Sequence, residues 1–78
     1  MKILIYGMAN CAGCKQAKTF CEKENLPYEY KEIVDEHDLM EMQRKAGSPL
    51  RTVPQIFSMN DGFAEHIGGL KELIDKFN

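Results

Sequence analysis

The stretch Cys11-Ala12-Gly13-Cys14 lies at the junction of two segments with different hydrophobic periods. Before it, Met1–Tyr6 is a short run of β-branched and aromatic residues that ends at Gly7, a pattern typical of a buried strand. After it, apolar side chains recur at helical spacing opposite a face of lysines and glutamates; they are Cys14, Ala17, Phe20 and Cys21. The sequence therefore predicts a strand, a turn that carries both cysteines, and an amphipathic helix.

The two cysteines occupy the start of that helix, and we expect Cys11 at its first position. Backbone N–H groups there have no intrahelical partner, and the positive end of the helix dipole stabilises a thiolate. Helix N-termini and Cys-x-x-Cys motifs lower a thiol pKa from about 8.5 to between roughly 3.5 and 7.5. The three-residue spacing places Cys14 one turn further on, within disulfide distance. We therefore expect Cys11 to attack a disulfide and the more buried Cys14 to resolve the mixed disulfide.

The composition is that of one small globular domain over residues 1–78, with 44% hydrophobic and 28% charged residues. A net charge of −2 disfavours binding to nucleic acid or a membrane surface. The apolar run after Lys2 is too short for a transmembrane helix or a signal peptide. The cysteine count of three is odd, which disfavours the framework of paired disulfides found in small secreted proteins. We therefore expect a reduced, cytoplasmic protein in which the Cys-x-x-Cys motif is catalytic or metal-binding.

The middle of the chain predicts a parallel βαβ unit and a second helix. The first helix runs over about residues 12–25 and ends before Pro27, and a strand follows over about residues 28–33. Two strands joined by a helix are parallel, and the crossover is right-handed. Asp35 is the expected N-cap of the next helix, and Gly47 is its expected C-terminal stop.

The last third of the chain predicts a β-hairpin and a third helix. Apolar runs over residues 55–59 and 63–67 flank Asn60-Asp61-Gly62, which is typical of a hairpin. Gly68-Gly69 then opens a helix with apolar residues at i, i+3, i+4 and i+7: Leu70, Leu73, Ile74 and Phe77. The predicted order is β-α-β-α-β-β-α, an α/β fold with a four-stranded mixed sheet covered by three helices on both faces.

Pro54 directly precedes the third predicted strand. Because proline cannot donate to a sheet ladder, it belongs at a strand's first residue or in a turn. A cis Val53–Pro54 bond fits this position. Such a turn leaves the backbone N–H and C=O groups of Val53 free to pair with an extended peptide.

Over essentially its whole length the chain resembles a short glutaredoxin of the thioredoxin superfamily, as found in bacteria and bacteriophages. The resemblance rests on three motifs in order: Cys11–Cys14 followed by Ala17-Lys18, then Thr52-Val53-Pro54-Gln55-Ile56-Phe57, then His66-Ile67-Gly68-Gly69-Leu70. It implies a thioredoxin fold with a cis-proline at Pro54. It also implies thiol–disulfide oxidoreductase activity, with glutathione as reductant or leaving group and no permanently bound cofactor.

The resemblance also implies where glutathione binds. The residues expected to pair with its cysteinyl part are Thr52, Val53 and Pro54. Those expected to cradle its γ-glutamyl end are Gly69, Leu70 and Lys71, and Arg51 is the candidate for its glycine carboxylate. Disulfide-containing proteins are the implied clients, and ribonucleotide reductase is a common one for this family. The small size and the lack of an apolar surface stripe favour a monomer.

The sequence departs from the usual family pattern in three places. Ala12-Gly13 replaces Pro-Tyr between the cysteines, so the usual tyrosine contact to the ligand is missing. Met8 stands where a basic residue commonly lies. Lys71-Glu72 follow Leu70 where the family usually has an Asp for the glutathione amine, so a lysine would face that amine unless Glu72 replaces it.

These departures keep two alternatives open. Met8 and Lys71 weaken the expected glutathione site and favour a redoxin reduced by thioredoxin reductase. The second alternative is a carrier in which two protomers and two glutathiones hold a [2Fe–2S] cluster through Cys11, which Ala12 in place of proline favours. A zinc site is not expected, because structural zinc takes four ligands in paired spacings and only one such pair exists. We expect Cys21 in the core and His66 pointing outward.

Overall fold

The computed structural model describes residues 1–78 and contains four strands and three helices in the predicted order. They are β1 (Lys2–Gly7), α1 (Ala12–Lys23), β2 (Tyr28–Glu32), α2 (Glu36–Ala46), β3 (Gln55–Asn60), β4 (Phe63–Gly68) and α3 (Leu70–Phe77). The sheet order is β2-β1-β3-β4. β1 pairs in parallel with β2 and antiparallel with β3, and β3 and β4 form the hairpin. The predicted mixed sheet is confirmed. None of the three helices combines the length and apolarity that a membrane span needs.

The central strand β1 is buried on both faces, because successive strand residues point to opposite sides of the sheet. Ile3 and Ile5 belong to one core, with residues of α1, β3 and α3: Ala17, Cys21, Ile56 and Leu73. Leu4 and Tyr6 belong to the other, with Ile33 and residues of α2 and β3: Leu39, Met42 and Phe57. The helices therefore cover both faces, as predicted, with α2 alone on one of them.

Side-chain and backbone capping sets both ends of α2. The Asp35 carboxylate accepts a hydrogen bond from the Asp38 N–H at 2.9 Å, and the Asp38 carboxylate accepts one from the Val34 N–H at 3.0 Å. The predicted N-cap at Asp35 is thus confirmed. At the other end Gly47 adopts a φ of 68°, the left-handed conformation in which glycine ends a helix without strain.

Helix α1 ends at Lys23, two residues earlier than predicted. Asn25 adopts a φ of 56°, and the Leu26 N–H donates to the Cys21 carbonyl at 2.8 Å. The chain therefore turns out of the helix before Pro27 is reached. A left-handed Asn just past a helix end is a known stop, and it acts here ahead of the proline.

A cluster of hydrogen bonds links the sheet to α2 through Tyr6, Lys31 and Glu41. The buried Tyr6 hydroxyl donates to Glu41 Oε2 at 2.7 Å, and Lys31 Nζ lies 2.7 Å from both carboxylate oxygens. Two hydrogen bonds lower the pKa of Glu41 below its ordinary value of 4.5. The one from Lys31 has the larger effect, and the one from Tyr6 the smaller. Burial is the main cause that raises the pKa of Tyr6, and the same carboxylate adds to it.

This arrangement predicts an acid-sensitive contribution to stability. A carboxyl group with a lowered folded-state pKa stabilises the fold above its ordinary pKa, and loses that contribution as the pH falls through the lowered value. We expect Glu41→Gln to lower the free energy of unfolding near neutral pH by about 1 kcal/mol, a figure reduced for solvent screening because the pair is partly exposed. The difference should shrink at an acid pH well below the ordinary value of 4.5, as the pH falls through the lowered pKa of Glu41 and its carboxylate loses its charge. Urea unfolding at the two pH values measures it, and equal differences would contradict the assignment.

Candidate active site

Helix α1 begins at Ala12, which confirms the predicted start at about residue 12, and Cys11 is its N-cap rather than the first helical residue that we expected. Its backbone is extended, with φ −109° and ψ 108°, and its sulfur accepts a hydrogen bond from the Cys14 N–H at 3.1 Å. The difference has a physical reason, because only an extended N-cap residue can turn its side chain back onto the free N–H groups of the first turn. The sulfur therefore lies at the positive end of the helix dipole.

Cys11 and Cys14 are joined by a disulfide, and their Cα atoms are 5.2 Å apart. Cys11 is partly exposed, whereas Cys14 is fully buried. The predicted difference in burial is confirmed. A molecule that approaches from solvent therefore meets the sulfur of Cys11 first.

The loop before β3, Thr52–Pro54, lies directly beside the disulfide, and we call it the cis-proline loop. The Val53–Pro54 bond is cis, as the resemblance implied, and the Val53 carbonyl oxygen lies 4.0 Å from Cys11 Sγ. A Cβ atom at position 13 would lie only 3.3 Å from Pro54 Cδ. Gly13 therefore allows the close approach of this loop to α1.

The turn that opens α3, Gly68-Gly69, lies against the cis-proline loop, and we call it the glycine turn. A Cβ atom at Gly69 would be 3.6 Å from the Pro54 carbonyl oxygen. Gly68 has a φ of 126°, which favours glycine because other residues rarely adopt it. The Gly69 N–H donates to Glu72 Oε1 at 2.8 Å, so the Glu72 carboxylate lies at the N-terminus of α3.

Some of the side chains predicted to bind glutathione form no hydrogen bond or ion pair with the disulfide, the cis-proline loop or the glycine turn. Arg51 is exposed and forms no ion pair, and Leu70 packs partly buried against the core. Lys71 Nζ lies 3.0 Å from Asp75 Oδ2, one turn further along α3, and this hydrogen bond raises its pKa. Glu72, rather than Lys71, is therefore the charged side chain in contact with the glycine turn.

Sequence reasoning missed a chain of hydrogen bonds beside the cis-proline loop. The Gln55 side chain donates from Nε2 to Thr52 Oγ1 at 3.1 Å, and its Oε1 lies 2.8 Å from His66 Nε2. His66 is exposed, as predicted, but its ring also packs on Phe57 with centroids 4.9 Å apart. The sequence signal for this chain of hydrogen bonds was the polar residue Gln55, which stands between Pro54 and the apolar Ile56-Phe57 of β3.

Tyr30 holds the loop that leads to Cys11. Its hydroxyl donates to the Met8 carbonyl at 3.4 Å, and its ring fills the space next to Gly7, where a Cβ atom would lie 2.7 Å from Tyr30 Cζ. Lys18 Nζ lies 4.2 Å from the ring centroid, a cation–π distance. Gly7 is therefore required for close packing, and Lys18 places a cation over the ring of Tyr30.

Cys21 is fully buried in the core below α1, as predicted. Burial raises the pKa of its thiol to about 11. With that pKa, only about one molecule in 10³ would carry a Cys21 thiolate at pH 8. In the reduced native protein we expect iodoacetamide to label Cys11 first and to leave Cys21 unlabelled until urea unfolds the chain. Peptide mass mapping measures this, and early labelling of Cys21 would contradict it.

Comparison with known proteins agrees with this geometry. The sequence model of the Glutaredoxin family matches residues 3–63. Glutaredoxin 1 of Escherichia coli is 39% identical over 75 residues, which cover 88% of this chain and 84% of the relative. The solution structure of reduced E. coli glutaredoxin superposes with a TM-score of 0.76 at 36% identity, covering 97% of this chain and 92% of that one.

A buckwheat glutaredoxin, solved as a complex with glutathione, shares the fold at 22% identity. Its TM-score is 0.69, and the match covers 95% of this chain and 66% of the buckwheat protein. The thioredoxin fold implied by the resemblance is thus confirmed. Together with the disulfide at the start of α1, these relationships show that the chain belongs to the glutaredoxin family and is a dithiol thiol–disulfide oxidoreductase.

Proposed function

We propose that the protein reduces protein disulfides and glutathione mixed disulfides with glutathione as its electron donor. The observation that carries this proposal is the position of the Cys11 sulfur, which is accessible, hydrogen-bonded by a helix N–H and beside the cis-proline loop. The Cys11 thiolate attacks a client disulfide, forms a mixed disulfide and expels one client thiolate. Cys14 then attacks the Cys11 sulfur, releases the second client thiol and closes the Cys11–Cys14 disulfide.

Two glutathione molecules restore the dithiol. The first opens the Cys11–Cys14 disulfide and leaves glutathione bonded to Cys11. The second attacks that mixed disulfide, releasing oxidised glutathione and the Cys11 thiolate. The two electrons delivered to the client thus come from two glutathione thiols, and no other co-reactant is needed.

We place glutathione between the cis-proline loop and the glycine turn. The Val53 N–H has no hydrogen-bond partner within the chain, so Thr52, Val53 and Pro54 present a backbone edge for the cysteinyl part. Gly69, Leu70 and Lys71 lie at the γ-glutamyl end, and Arg51 at the glycine carboxylate. Because Lys71 is paired with Asp75, we assign the amine contact to Glu72. That a buckwheat glutaredoxin of the same fold was solved in complex with glutathione supports glutathione as the ligand.

The partners and setting follow the same proposal. We propose that the 78 residues act as one domain, since a single sheet is shared by both cores, and that the protein is a monomer. Disulfide-containing proteins of the cytoplasm are the proposed clients, and ribonucleotide reductase is one candidate among them. The partly exposed Cys11 gives a folded client access to one sulfur only, which suits sequential attack and resolution.

Two parallel assays of NADPH consumption with a small disulfide substrate test the proposal. One contains glutathione and glutathione reductase, and the other contains thioredoxin reductase alone. We expect turnover only in the first. Turnover only in the second would keep the disulfide chemistry and replace glutathione as the donor. If neither assay shows turnover, and the protein turns brown after anaerobic iron–sulfide reconstitution in the presence of glutathione, the [2Fe–2S] carrier would be favoured.

A further inference from the structure

We propose that Gln55 is a positioning residue that couples the cis-proline loop to the glycine turn. The two segments form the proposed glutathione site, so the consequence for glutathione rests on the proposed function. The side chain of Gln55 forms hydrogen bonds with Thr52 and His66 and with neither cysteine, so it acts through those two residues. The geometry around its side-chain amide carries the inference.

Gln55 is the first residue of β3, and only 7% of it is exposed. A buried primary amide costs free energy unless its donor and acceptor both find partners. Its donor contacts the Thr52 hydroxyl in the cis-proline loop, and its acceptor contacts His66, two residues before the glycine turn. One side chain therefore connects the cis-proline loop to His66, on the strand that leads into the glycine turn.

The backbone pairing of β3 with β4 is irregular at this point. Ile56 pairs with Gly68 while Phe57 pairs with His66, so Ile67 is the extra residue of a β-bulge. A bulge locally disrupts the ladder and bends the strand that carries it. The hydrogen bond between Gln55 and His66 thus bridges the strands where the backbone ladder holds them least regularly.

The His66 ring is itself held in place. It is tilted by 31° on the buried Phe57 ring, which packs edge-on against Tyr6 with centroids 5.7 Å apart. An amide oxygen only accepts hydrogen bonds, so the facing Nε2 of His66 carries the proton. Gln55 therefore anchors the cis-proline loop to an exposed ring that packs on the buried Phe57.

Removing the coupling should affect binding more than chemistry. Glutathione would then have to order the loop and the turn as it binds, which weakens binding. Loss of one buried hydrogen bond costs about 1.4 kcal/mol, equivalent to about a tenfold increase in KM for glutathione. The contact between the Cys14 N–H and the Cys11 sulfur is unchanged, so kcat should change by less than about twofold.

Four single variants and the Gln55→Met/His66→Phe double variant test the proposal. Gln55→Met keeps the length of the side chain without hydrogen bonds, and His66→Phe keeps the ring without its N–H. His66→Gln places an amide N–H donor near Gln55 Oε1 in place of the ring N–H, so this variant should keep the KM of the wild type. The matched control is Ser58→Ala, a buried polar residue of the same strand whose side chain bonds Asn60 instead.

For each variant we would measure KM and kcat for glutathione, the rate of reduction by dithiothreitol, and backbone amide NMR spectra. We expect Gln55→Met and His66→Phe each to raise KM about tenfold, and their combination to do no more than either alone, because both break one connection. Dithiothreitol reduction should be unchanged in both. Amide signals of Val53 and Gly69 should shift in both, whereas His66→Gln and Ser58→Ala should match the wild type.

Two results would overturn the proposal. One is an unchanged KM in Gln55→Met, and the other is an equal loss of glutathione and dithiothreitol reduction, which would indicate general damage. The NMR spectra decide the coupling even if the wild type does not use glutathione. In that case the donor assay of the proposed function fails, while concerted shifts of Val53 and Gly69 still support the coupling and their absence refutes it.

Discussion

Replacing Cys11 with serine should reduce every thiol–disulfide activity of the protein to background, a loss of at least about 10³-fold. A serine hydroxyl is not ionised near neutral pH and is a poor nucleophile without a base, whereas a thiolate at a helix N-cap is both ionised and reactive. Serine is a good N-cap residue, so α1 should keep its start at Ala12. The loss of activity would then report chemistry rather than unfolding.

Cys14→Ser should separate the two reactions. Attack by Cys11 on a glutathione mixed disulfide needs no second cysteine, because a further glutathione resolves the intermediate. We expect this variant to keep deglutathionylation, to lose most protein-disulfide reduction and to accumulate a client trapped on Cys11. Cys21→Ala, which alters a buried thiol of the same helix, is the control and should keep both activities. Loss of both activities in Cys14→Ser would contradict the assigned roles.

Phe57→Ala should strongly destabilise the fold. Phe57 is fully buried in the core under α2, where its ring lies between Tyr6 and His66. Truncating a buried phenylalanine removes its transfer free energy and leaves a cavity, at a cost of about 3–5 kcal/mol. That is a large share of the stability of a small domain, about 5–15 kcal/mol. We expect the melting temperature to fall by at least about 12 °C.

Phe63→Ala provides the matched control. Phe63 lies on the same hairpin, in β4, but 78% of it is exposed. The same truncation there should change the free energy of unfolding by less than about 0.5 kcal/mol. Urea and thermal unfolding of both variants measure the contrast. Similar losses at the two positions would show that the apolar face under α2 is not a tightly packed core.

Local patterns predicted most of the fold because they report contacts within one element. The period of Met1–Tyr6 and the Gly-Gly break before α3 depend only on neighbouring residues, and both elements lie where expected. Boundaries were less accurate where a backbone conformation decided them. Asn25 ends α1 by adopting a positive φ, a conformation that asparagine tolerates but does not require.

The candidate site was predictable where a motif contains the whole chemical unit, as at Cys11 and Cys14. It was not predictable where side chains from distant positions meet. Gln55 and His66 are eleven positions apart, and nothing in either local pattern indicates that they share a hydrogen bond. Lys71 illustrates the same limit, because its pairing with Asp75 depends on the rotamers that the two side chains adopt.

The sulfur of Cys11 is also the atom that caps α1, so catalysis and helix architecture share one hydrogen bond. An ionised sulfur accepts such a bond more strongly than a sulfur held in a disulfide. Every two-electron reduction should therefore tighten the first turn of α1, and every oxidation should loosen it. A substitution that frays this turn would shift the protein's redox equilibrium with a glutathione buffer toward the oxidised form, even though it touches neither sulfur.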